Sequence, residues 1–414
     1  MRKLIFIIAL CGLCCPGMAQ IADLGQWLAR PAGERTELSS QKFAQAALSK
    51  EEAQQATDLL YPYWLGEVKK QYGPQWQSKS LYLGRMMRFD YRIYGDKPEG
   101  GRSLYISLHG GGNAPQQLND QQWENQIGLY TPDEGLYVAP RAPWNDWNMW
   151  FKPGIDELYD LLIRTAVAVE NVDPNRVYLL GYSAGGDGLF RMAPRMADRW
   201  AAASMMAGHP GEASQVNLRN LPFMVWMGEN DSAHDRNKWA VTIGHRMDSL
   251  HAADPQGYIH ETHILKDKGH WMDREDAAAI PWMAKYERNP YPDKIVWRQE
   301  EVTLPSFYWL SVPAADAKHG MEVRVQRSGN EIVIEKNDYP ELTIHLNDSM
   351  FDLDKPVVVR QGKKVVFKGK VQRNIANIAE AWDSRGDYYY LFPAKITVKA
   401  SPDKSSGKAA QRKK

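Results

Sequence analysis

The fold of this chain is decided by residues 177–187, which read Val-Tyr-Leu-Leu-Gly-Tyr-Ser-Ala-Gly-Gly-Asp. The apolar run 177–180 is typical of a buried strand, and the residues after it have the spacing of a helix. Between strand and helix lies the pattern G-x-S-x-G, which places Ser183 on a tight turn. Glycines flank the serine because a larger side chain would collide with the neighbouring strand or helix. We therefore expect Ser183 to be a nucleophile, the alternative being a glycine-rich turn without chemistry.

Strands and helices alternate around this turn, between residues 81 and 290. Apolar runs predict strands at 86–94, 103–108, 136–139, 177–180, 202–206, 223–227 and 258–265, and helical spacing predicts helices at 155–170, 184–196, 235–251 and 274–288. Strand and helix in turn, with both faces of the sheet covered, indicate a mostly parallel α/β sheet. Ligands of such sheets bind at the carboxyl edge of the strands.

The regions on either side have a different character. Residues 20–80 are rich in Gln, Ala and Glu with helical spacing, which predicts an N-terminal helical segment. Residues 291–400 contain short alternating runs separated by turn signals, with a helical pattern only at 375–383, and so predict a β-rich, sandwich-like accessory domain. Residues 401–414 are basic and lack an apolar anchor, so we expect a disordered tail there.

The first residues have the layout of an export signal. Two basic residues precede an apolar run at 4–13, and the small residues Gly17 and Ala19 suit a cleavage site. We therefore expect residues 1–19 to be a signal peptide and the protein to be exported, to the periplasm or outside the cell. All three cysteines lie in this segment, so the mature protein would have no disulfide and no cysteine nucleophile.

Composition excludes several classes of protein. With 43% hydrophobic and 24% charged residues among 414, the chain is typical of globular proteins rather than disordered or multi-span membrane proteins. A net charge of +1 provides no general field for nucleic acid, and we expect no stable membrane insertion. Neither a dinucleotide fingerprint nor a P-loop occurs in the sequence. His260 and His263 are three residues apart in an expected strand, so they lie on opposite faces and are not placed to bind one metal ion. We therefore expect no metal and no cofactor, and the oligomeric state is left open.

A second glycine-rich segment follows the expected strand 103–108 and reads His109-Gly110-Gly111-Gly112-Asn113. Glycines after an early strand allow backbone N–H groups to point into a cleft, where they can hold a developing oxyanion. We expect Gly110 and Gly111 to provide such donors, together with the N–H of Ala184 directly after the nucleophile.

An acid and a base follow two later strands. Strand 223–227 is followed by Gly228-Glu229-Asn230-Asp231, and strand 258–265 by Gly269-His270-Trp271. A serine is a weak nucleophile at neutral pH and needs a base within hydrogen-bonding distance, which His270 would supply. Asp231 would hold the imidazole in the correct tautomer and stabilise its cation, with Glu229 as the alternative acid.

At these residues the sequence resembles the α/β-hydrolase superfamily, in which serine, acid and histidine follow one another in this order. The run 109–112 and the turn 181–186 are most similar to those of secreted esterases: carbohydrate esterases, feruloyl esterases and polyhydroxybutyrate depolymerases, with dienelactone hydrolases more distant. The resemblance covers residues 80–290, about half of the chain. It implies hydrolysis through an acyl-enzyme without a cofactor, and it does not determine the substrate.

A tryptophan-rich segment, 140–151, follows strand 136–139 and should lie beside the nucleophile. Trp144, Trp147 and Trp150 recur in it at intervals of three among Asn and Asp, a composition suited to stacking on sugar rings. We expect at least one of these rings to face the cleft, the alternative being that they fill the base of a loop.

Four further residues are candidates for the cleft. His209 follows strand 202–206 and Trp271 is adjacent to the base, so both are expected to contact substrate. Arg141 suits the carboxylate of an acidic glycan, although a structural salt bridge fits the sequence equally well. Asp187, four residues after the serine, is expected to be a buried polar group of the helix rather than a catalyst.

Together these features predict a serine carboxylic-ester hydrolase acting on an ester-decorated polysaccharide. Methyl-esterified pectin is the first candidate, followed by acetylated xylan or pectin and then by feruloyl esters.

Two alternative functions belong to other classes of protein. A prolyl-oligopeptidase-like serine peptidase shares the residue order, although residues 20–80 are too few for a propeller domain. A glycan-binding protein on an inactive scaffold is the other, and the complete candidate triad argues against it.

Overall fold

Eight strands form the central sheet of the protein, for which the computed structural model describes residues 18–399. The strands are β1 (Ser80–Tyr82), β2 (Met86–Tyr94), β3 (Arg102–Leu108), β4 (Gly135–Pro140), β5 (Val172–Tyr182), β6 (Ala202–Met206), β7 (Phe223–Gly228) and β8 (His260–Leu265). Their order across the sheet is β1-β2-β4-β3-β5-β6-β7-β8. The pairs β1–β2 and β2–β4 are antiparallel, whereas all pairs from β4 to β8 are parallel.

Helices cover both faces of this sheet. The helices are α1 (Met18–Ala29), α2 (Lys42–Gln45), α3 (Lys50–Gln77), α4 (Gln116–Gln126), α5 (Ile155–Glu170), α6 (Ala184–Arg195), α7 (Arg236–Ala253), α8 (Ala279–Met283) and α9 (Ile375–Arg385). The strands β3, β4, β6 and β7 are buried along almost their whole length, and β5 is buried from Val177 to its end, as expected when both faces are covered. The prediction of a mostly parallel α/β sheet is confirmed.

The helix expected at 274–288 is much shorter than its sequence pattern. Asp273 and Arg274 have positive φ angles of 52° and 66°, so the chain turns before α8 begins. α8 ends at Met283, and five residues later the Arg288 N–H donates to the carbonyl of Asn175 at 2.9 Å, which ties this part of the chain to β5. Tertiary hydrogen bonding therefore overrides the helical pattern at this point.

The C-terminal region contains two further sheets. Their strands are β9 (Lys294–Arg298), β10 (Ser306–Phe307), β11 (Leu310–Ser311), β12 (Glu322–Ser328), β13 (Glu331–Asn337), β14 (Glu341–Leu346), β15 (Val357–Gln361), β16 (Lys364–Gly369) and β17 (Ala394–Lys399). One sheet has the order β10-β11-β14-β17 and the other β16-β15-β13-β12-β9. All neighbouring strands are antiparallel except β13 and β15. The β-rich C-terminal domain predicted from the sequence is therefore present.

The N-terminal helices pack against this C-terminal region. Leu24 and Leu60 share a hydrophobic cluster with Ile375 of α9, and the rings of Trp64 and Trp382 stack with centroids 5.0 Å apart. The long helix α3 begins at a capping box, in which Ser49 and Glu52 satisfy each other's backbone N–H groups. Both ends of the described chain thus meet on one side of the molecule.

The expected signal peptide and tail fall mainly outside the described residues. Residues 1–17 and 400–414 are not described, and the expected cleavage site after Ala19 lies within the first turn of α1. Within residues 18–399, none of the helices combines the length and apolar character needed to cross a membrane.

Buried charges join the central sheet region to the C-terminal region. The Asp198 carboxylate is ion-paired with Arg385 and accepts a hydrogen bond from the Tyr308 N–H at 3.1 Å. Its backbone carbonyl accepts from Arg288 at 3.0 Å and from the Tyr390 hydroxyl at 2.8 Å. Burial by itself would raise the pKa of Asp198, but the Arg385 charge keeps this pKa below its usual value. The carboxylate is therefore ionised and holds the two regions together.

We expect Asp198→Asn to lower the free energy of unfolding by about 3 to 5 kcal/mol, because it leaves the Arg385 guanidinium buried without its counter-ion. Urea unfolding followed by fluorescence would measure the change. Asp248→Asn is the matched control, since the Asp248 side chain is 70% exposed and pairs only with His260. That variant should change stability by less than about 0.5 kcal/mol. Equal effects of the two substitutions would contradict the role given to Asp198.

Candidate active site

Ser183 lies on a strained turn between β5 and α6. Its backbone angles are φ 57° and ψ −121°, and its N–H donates to the Met206 carbonyl at 2.9 Å. A Cβ at Gly185 would lie 2.2 Å from the Leu108 carbonyl oxygen, and one at Gly181 would lie 2.4 Å from the Gly185 oxygen. Only glycine fits at these two positions, so the close approach of three backbone segments holds the serine in its strained conformation.

The three residues expected to form a triad lie together. His270 Nε2 is 2.9 Å from Ser183 Oγ, and His270 Nδ1 is 2.7 Å from Asp231 Oδ2. The Asp231 carboxylate is buried, whereas the His270 ring is 44% exposed and remains accessible from the cleft. This arrangement allows a proton to pass from the serine to the imidazole, with the carboxylate behind it to stabilise the cation.

Tyr182, which precedes the serine, anchors the loop that carries the histidine. Its hydroxyl donates to the His270 carbonyl at 2.6 Å and accepts from the Met272 N–H at 3.2 Å. Its ring also lies 5.8 Å from that of Trp271. One residue of the turn therefore holds the base in place, a contact that sequence reasoning missed because Tyr182 occupies the variable position of G-x-S-x-G.

Glu229, the alternative acid, points elsewhere. Its Oε2 accepts a hydrogen bond from the Asp267 N–H at 3.2 Å, and the residue is exposed. Asp231 instead lies after β7 with its backbone fixed by hydrogen bonds to Gly228 and Asn237. Geometry therefore favours Asp231 as the partner of His270.

The glycine-rich segment after β3 is held by a buried histidine. His109 Nε2 accepts from the Ala142 N–H at 3.1 Å, so Nδ1 carries the proton that it donates to the Gly110 carbonyl at 2.6 Å. Burial lowers the pKa of His109 to about 3, so the ring stays neutral and keeps this tautomer. The indole of Trp150 donates to the His109 carbonyl at 2.9 Å and fixes the start of the same segment.

Asn119 of α4 holds the other end of the segment. Its Oδ1 accepts from the Gly112 N–H at 2.8 Å, while its Nδ2 donates to the Ala114 carbonyl at 2.9 Å. A Cβ at Gly111 would lie 2.5 Å from this Oδ1, so the contact requires glycine there. Sequence reasoning missed Asn119 because the polar helix α4 has no apolar periodicity to indicate a buried side.

The segment lies directly beside the serine. A Cβ at Gly110 would be 3.2 Å from Ser183 Cβ, and one at Gly112 would be 3.5 Å from Ala184 Cβ. The Gly112 N–H donates to Asn119 Oδ1 and is therefore not available to an oxyanion. The expectation that Gly110, Gly111 and Ala184 supply such donors stays a prediction.

Two residues expected to bind substrate are structural instead. Trp150 is fully buried beneath the glycine-rich segment, so it fills the base of the loop rather than facing the cleft. Arg141 is also buried, pairs with Asp120 at 2.8 Å and donates to the Ala142 carbonyl at 2.6 Å. Both polar groups are occupied by other parts of the protein: the Trp150 indole by the His109 carbonyl, and the Arg141 guanidinium by Asp120 and the Ala142 carbonyl.

The remaining candidates differ in exposure. Trp147 is 59% exposed and Trp271 is 49% exposed, so both present an indole face to solvent near the serine. Trp144 is half-buried, with the Arg85 guanidinium 4.5 Å from its ring centroid. His209 is partly buried, and its backbone N–H donates to Asp187 Oδ1 at 2.6 Å. Asp187 is therefore a hydrogen-bonded polar residue of α6, but it is partly exposed rather than buried as the sequence had predicted.

A cavity of about 430 Å³ adjoins the serine. Its walls are formed by the glycine-rich segment, the start of α6 and the start of α7, and the lining residues are Gly111, Gly112, Asn113, Trp147, Ala184, Asp187, Arg191, His209, His234 and Arg236. The sequence did not indicate Arg191 and Arg236 as site residues, since neither belongs to a recognisable motif. Within residues 18–399, no group of three or more His, Cys, Asp or Glu side chains is arranged to hold a metal ion.

No family model matches the sequence, and no curated protein is significantly similar to it. Among solved structures, a thermostable esterase is similar at 20% identity and TM-score 0.36 over 51% of this chain and 64% of its own, less than two thirds of that protein. A ferulic acid esterase is similar at 17% identity and TM-score 0.37 over 50% of this chain and 95% of its own. The BES protein from Bacillus cereus is similar at 11% identity and TM-score 0.36, over 50% and 92%.

The fold can be identified from the positions of the site residues on the central sheet of this chain. The serine lies on a strained turn directly after β5, while the acid and the histidine follow β7 and β8, so all three meet at the carboxyl edge of one parallel sheet. A glycine-rich segment after β3 reaches the same edge. Serine, acid and histidine also occur in the chain order that this type of sheet requires. The chain therefore has the α/β-hydrolase fold.

Proposed function

We propose that this protein is a serine carboxylic-ester hydrolase that works through an acyl-enzyme. The observation that carries the proposal is the continuous hydrogen-bonded series from Ser183 through His270 to the buried Asp231. In the first half of the reaction, Ser183 Oγ attacks the ester carbonyl while its proton moves to His270 Nε2. His270 then returns this proton to the departing alcohol, which leaves the acyl group bound to the serine.

Water completes the cycle. It enters the position vacated by the alcohol, loses a proton to His270 Nε2 and attacks the acyl-enzyme carbonyl. The carboxylic acid is released as Ser183 Oγ recovers its proton. In both halves a negative charge develops on the carbonyl oxygen, and we assign its stabilisation to the N–H groups of Gly110, Gly111 and Ala184.

We further propose that the ester belongs to a polysaccharide and that the protein meets it after export. Methyl-esterified pectin is the first candidate, then acetylated xylan or pectin, then feruloyl esters. The exposed indole of Trp147 at the cavity supports a sugar substrate, because an aromatic face stacks on the apolar side of a pyranose ring. Arg191 and Arg236 at the same cavity supply the positive charge that the sequence had suggested for Arg141.

We expect Ser183→Ala to reduce the hydrolysis of p-nitrophenyl acetate at least about 10³-fold, because the nucleophile is lost. Release of nitrophenolate by the purified protein measures the rate. Ser78→Ala, an exposed serine that follows α3, is the control and should retain the wild-type rate. Equal rates in wild type and Ser183→Ala would rule out a serine mechanism.

The assignment of the acid gives a separate prediction. We expect Asp231→Asn to lower kcat about 10⁴-fold, since an amide cannot hold the required tautomer or stabilise the imidazolium. Glu229→Gln should change kcat less than about twofold, because Glu229 contacts the Asp267 N–H rather than the histidine. A larger loss for Glu229→Gln than for Asp231→Asn would reverse the assignment.

The substrate is tested by the alcohol that is released. We expect wild type, but not Ser183→Ala, to release methanol from methyl-esterified pectin, measured with an alcohol-oxidase assay. Release of acetate from acetylated xylan, or of ferulate from feruloyl esters, would be measured in parallel. If methanol release is the same in both proteins while p-nitrophenyl acetate hydrolysis still depends on Ser183, pectin is excluded and the esterase assignment stands.

A further inference from the structure

We propose that the cavity beside Ser183 is a subsite for a carboxylate, formed by Arg236 and His209, so that the ester substrate carries a free carboxylate near the bond that is cleaved. This inference rests on the proposed esterase function and deepens it by naming the charge of the substrate. Arg236 and His209, which belong neither to the triad nor to the oxyanion donors, would then recognise the substrate.

Arg236 is the cationic residue of the proposed subsite, and its contact with the nearest carboxylate is long. Its side chain is 14% exposed, and its ion pair with Asp231 is long, with Nη1 3.9 Å from Oδ1. Its Nε is buried without a hydrogen-bond partner among residues 18–399. A buried donor without a partner costs free energy. Arg236 is also one of the residues that line the cavity, and we assign its guanidinium to the binding of an anion there.

His209 adds a second donor to the same cavity. Its Nδ1 accepts from the Gly211 N–H at 2.9 Å, so in the neutral ring the proton is on Nε2. Burial lowers the pKa of His209, which keeps the ring in this neutral form. The ring packs edge-on against Trp239 with centroids 5.6 Å apart, so its orientation is fixed. Since His209 lines the cavity, we assign the Nε2 N–H to the ligand as its second donor.

The charges around the cavity favour a singly charged anion. Arg191 and Arg236 are opposed by one lining carboxylate, Asp187, whose Oδ1 already accepts from the His209 N–H. Arg191 is in turn committed to the protein: its Nη1 donates to the Asp187 carbonyl at 3.1 Å and its Cζ lies 4.0 Å from the Phe151 ring centroid. The Arg236 guanidinium, whose ion pair with Asp231 is a 3.9 Å contact, and one neutral imidazole N–H suit a carboxylate better than a doubly charged phosphate monoester.

The N-termini of two helices also favour an anion in this cavity. The cavity is bounded by Ala184 and Arg236, the first residues of α6 and α7. The positive ends of two helix dipoles therefore meet at this point, which favours an anion. Trp147 forms part of the same wall, so a sugar ring stacked on it would place its substituents near the guanidinium. An acidic glycan with a free uronate beside the esterified residue combines both features.

Binding can be tested without turnover in the full chain carrying Ser183→Ala. The probes are trigalacturonate and its fully methyl-esterified form, which have the same sugars with and without carboxylate charge. By isothermal titration we expect trigalacturonate to bind about tenfold or more tightly, a preference typical of a charged hydrogen bond. Adding Arg236→Gln should abolish this preference, whereas Lys238→Gln, which removes an exposed charge from the same helix, should preserve it.

Two further measurements keep the result interpretable if Arg236→Gln folds poorly. Arg236→Lys should retain part of the preference, and raising NaCl from about 0.05 to about 0.5 M should weaken binding of trigalacturonate but not of its methyl ester. Equal affinities for the two probes, or a preference that survives Arg236→Gln, would overturn the subsite. Carboxylate preference in a protein that hydrolyses no ester would instead refute the proposed function and leave the subsite standing.

Discussion

The close approach of the serine-bearing turn to the end of β3 is the constraint on which the site depends. Gly185 lies so near the Leu108 carbonyl that a Cβ would come within 2.2 Å of that oxygen. This contact starts α6 directly against β3 and forces Ser183 into a strained conformation. It also brings the glycine-rich segment after Leu108 beside the serine. One packing requirement thereby places the nucleophile and its neighbouring backbone donors together.

Buried polar side chains keep this arrangement rigid. The His109 side chain links Gly110 to Ala142, and the Asn119 side chain links Gly112 to Ala114. Trp150 fixes the first residue of the glycine-rich segment. Glycines by themselves would leave the segment flexible, since they restrict the backbone least. Preorganised donors are effective because they need not reorient as charge develops on the substrate. The residues beneath the site therefore matter as much as those that would touch a substrate.

Electrostatics divides the site into two halves. On one side the buried Asp231 faces His270, and on the other Arg236 and His209 line the adjoining cavity. Arg236 lies between these halves, since its Nη1 is also 3.9 Å from Asp231. Loss of this guanidinium would remove a cation near the catalytic carboxylate as well as from the cavity. For this reason the hydrolysis rate by itself would not separate the two effects of losing Arg236, whereas the ratio of affinities for charged and neutral probes reports on the cavity.

The sequence determined the sheet, the strained turn and the meeting of Ser183, Asp231 and His270, because local patterns specify strands and the carboxyl ends of parallel strands share one edge. It could not distinguish Trp147, which is exposed, from Trp150, which is buried three residues later in an irregular loop without periodicity. Nor could it identify the contacts of Arg141 or the position of Arg236 between Asp231 and the cavity. Those properties depend on which distant segments pack against each side chain, and only the tertiary structure decides that.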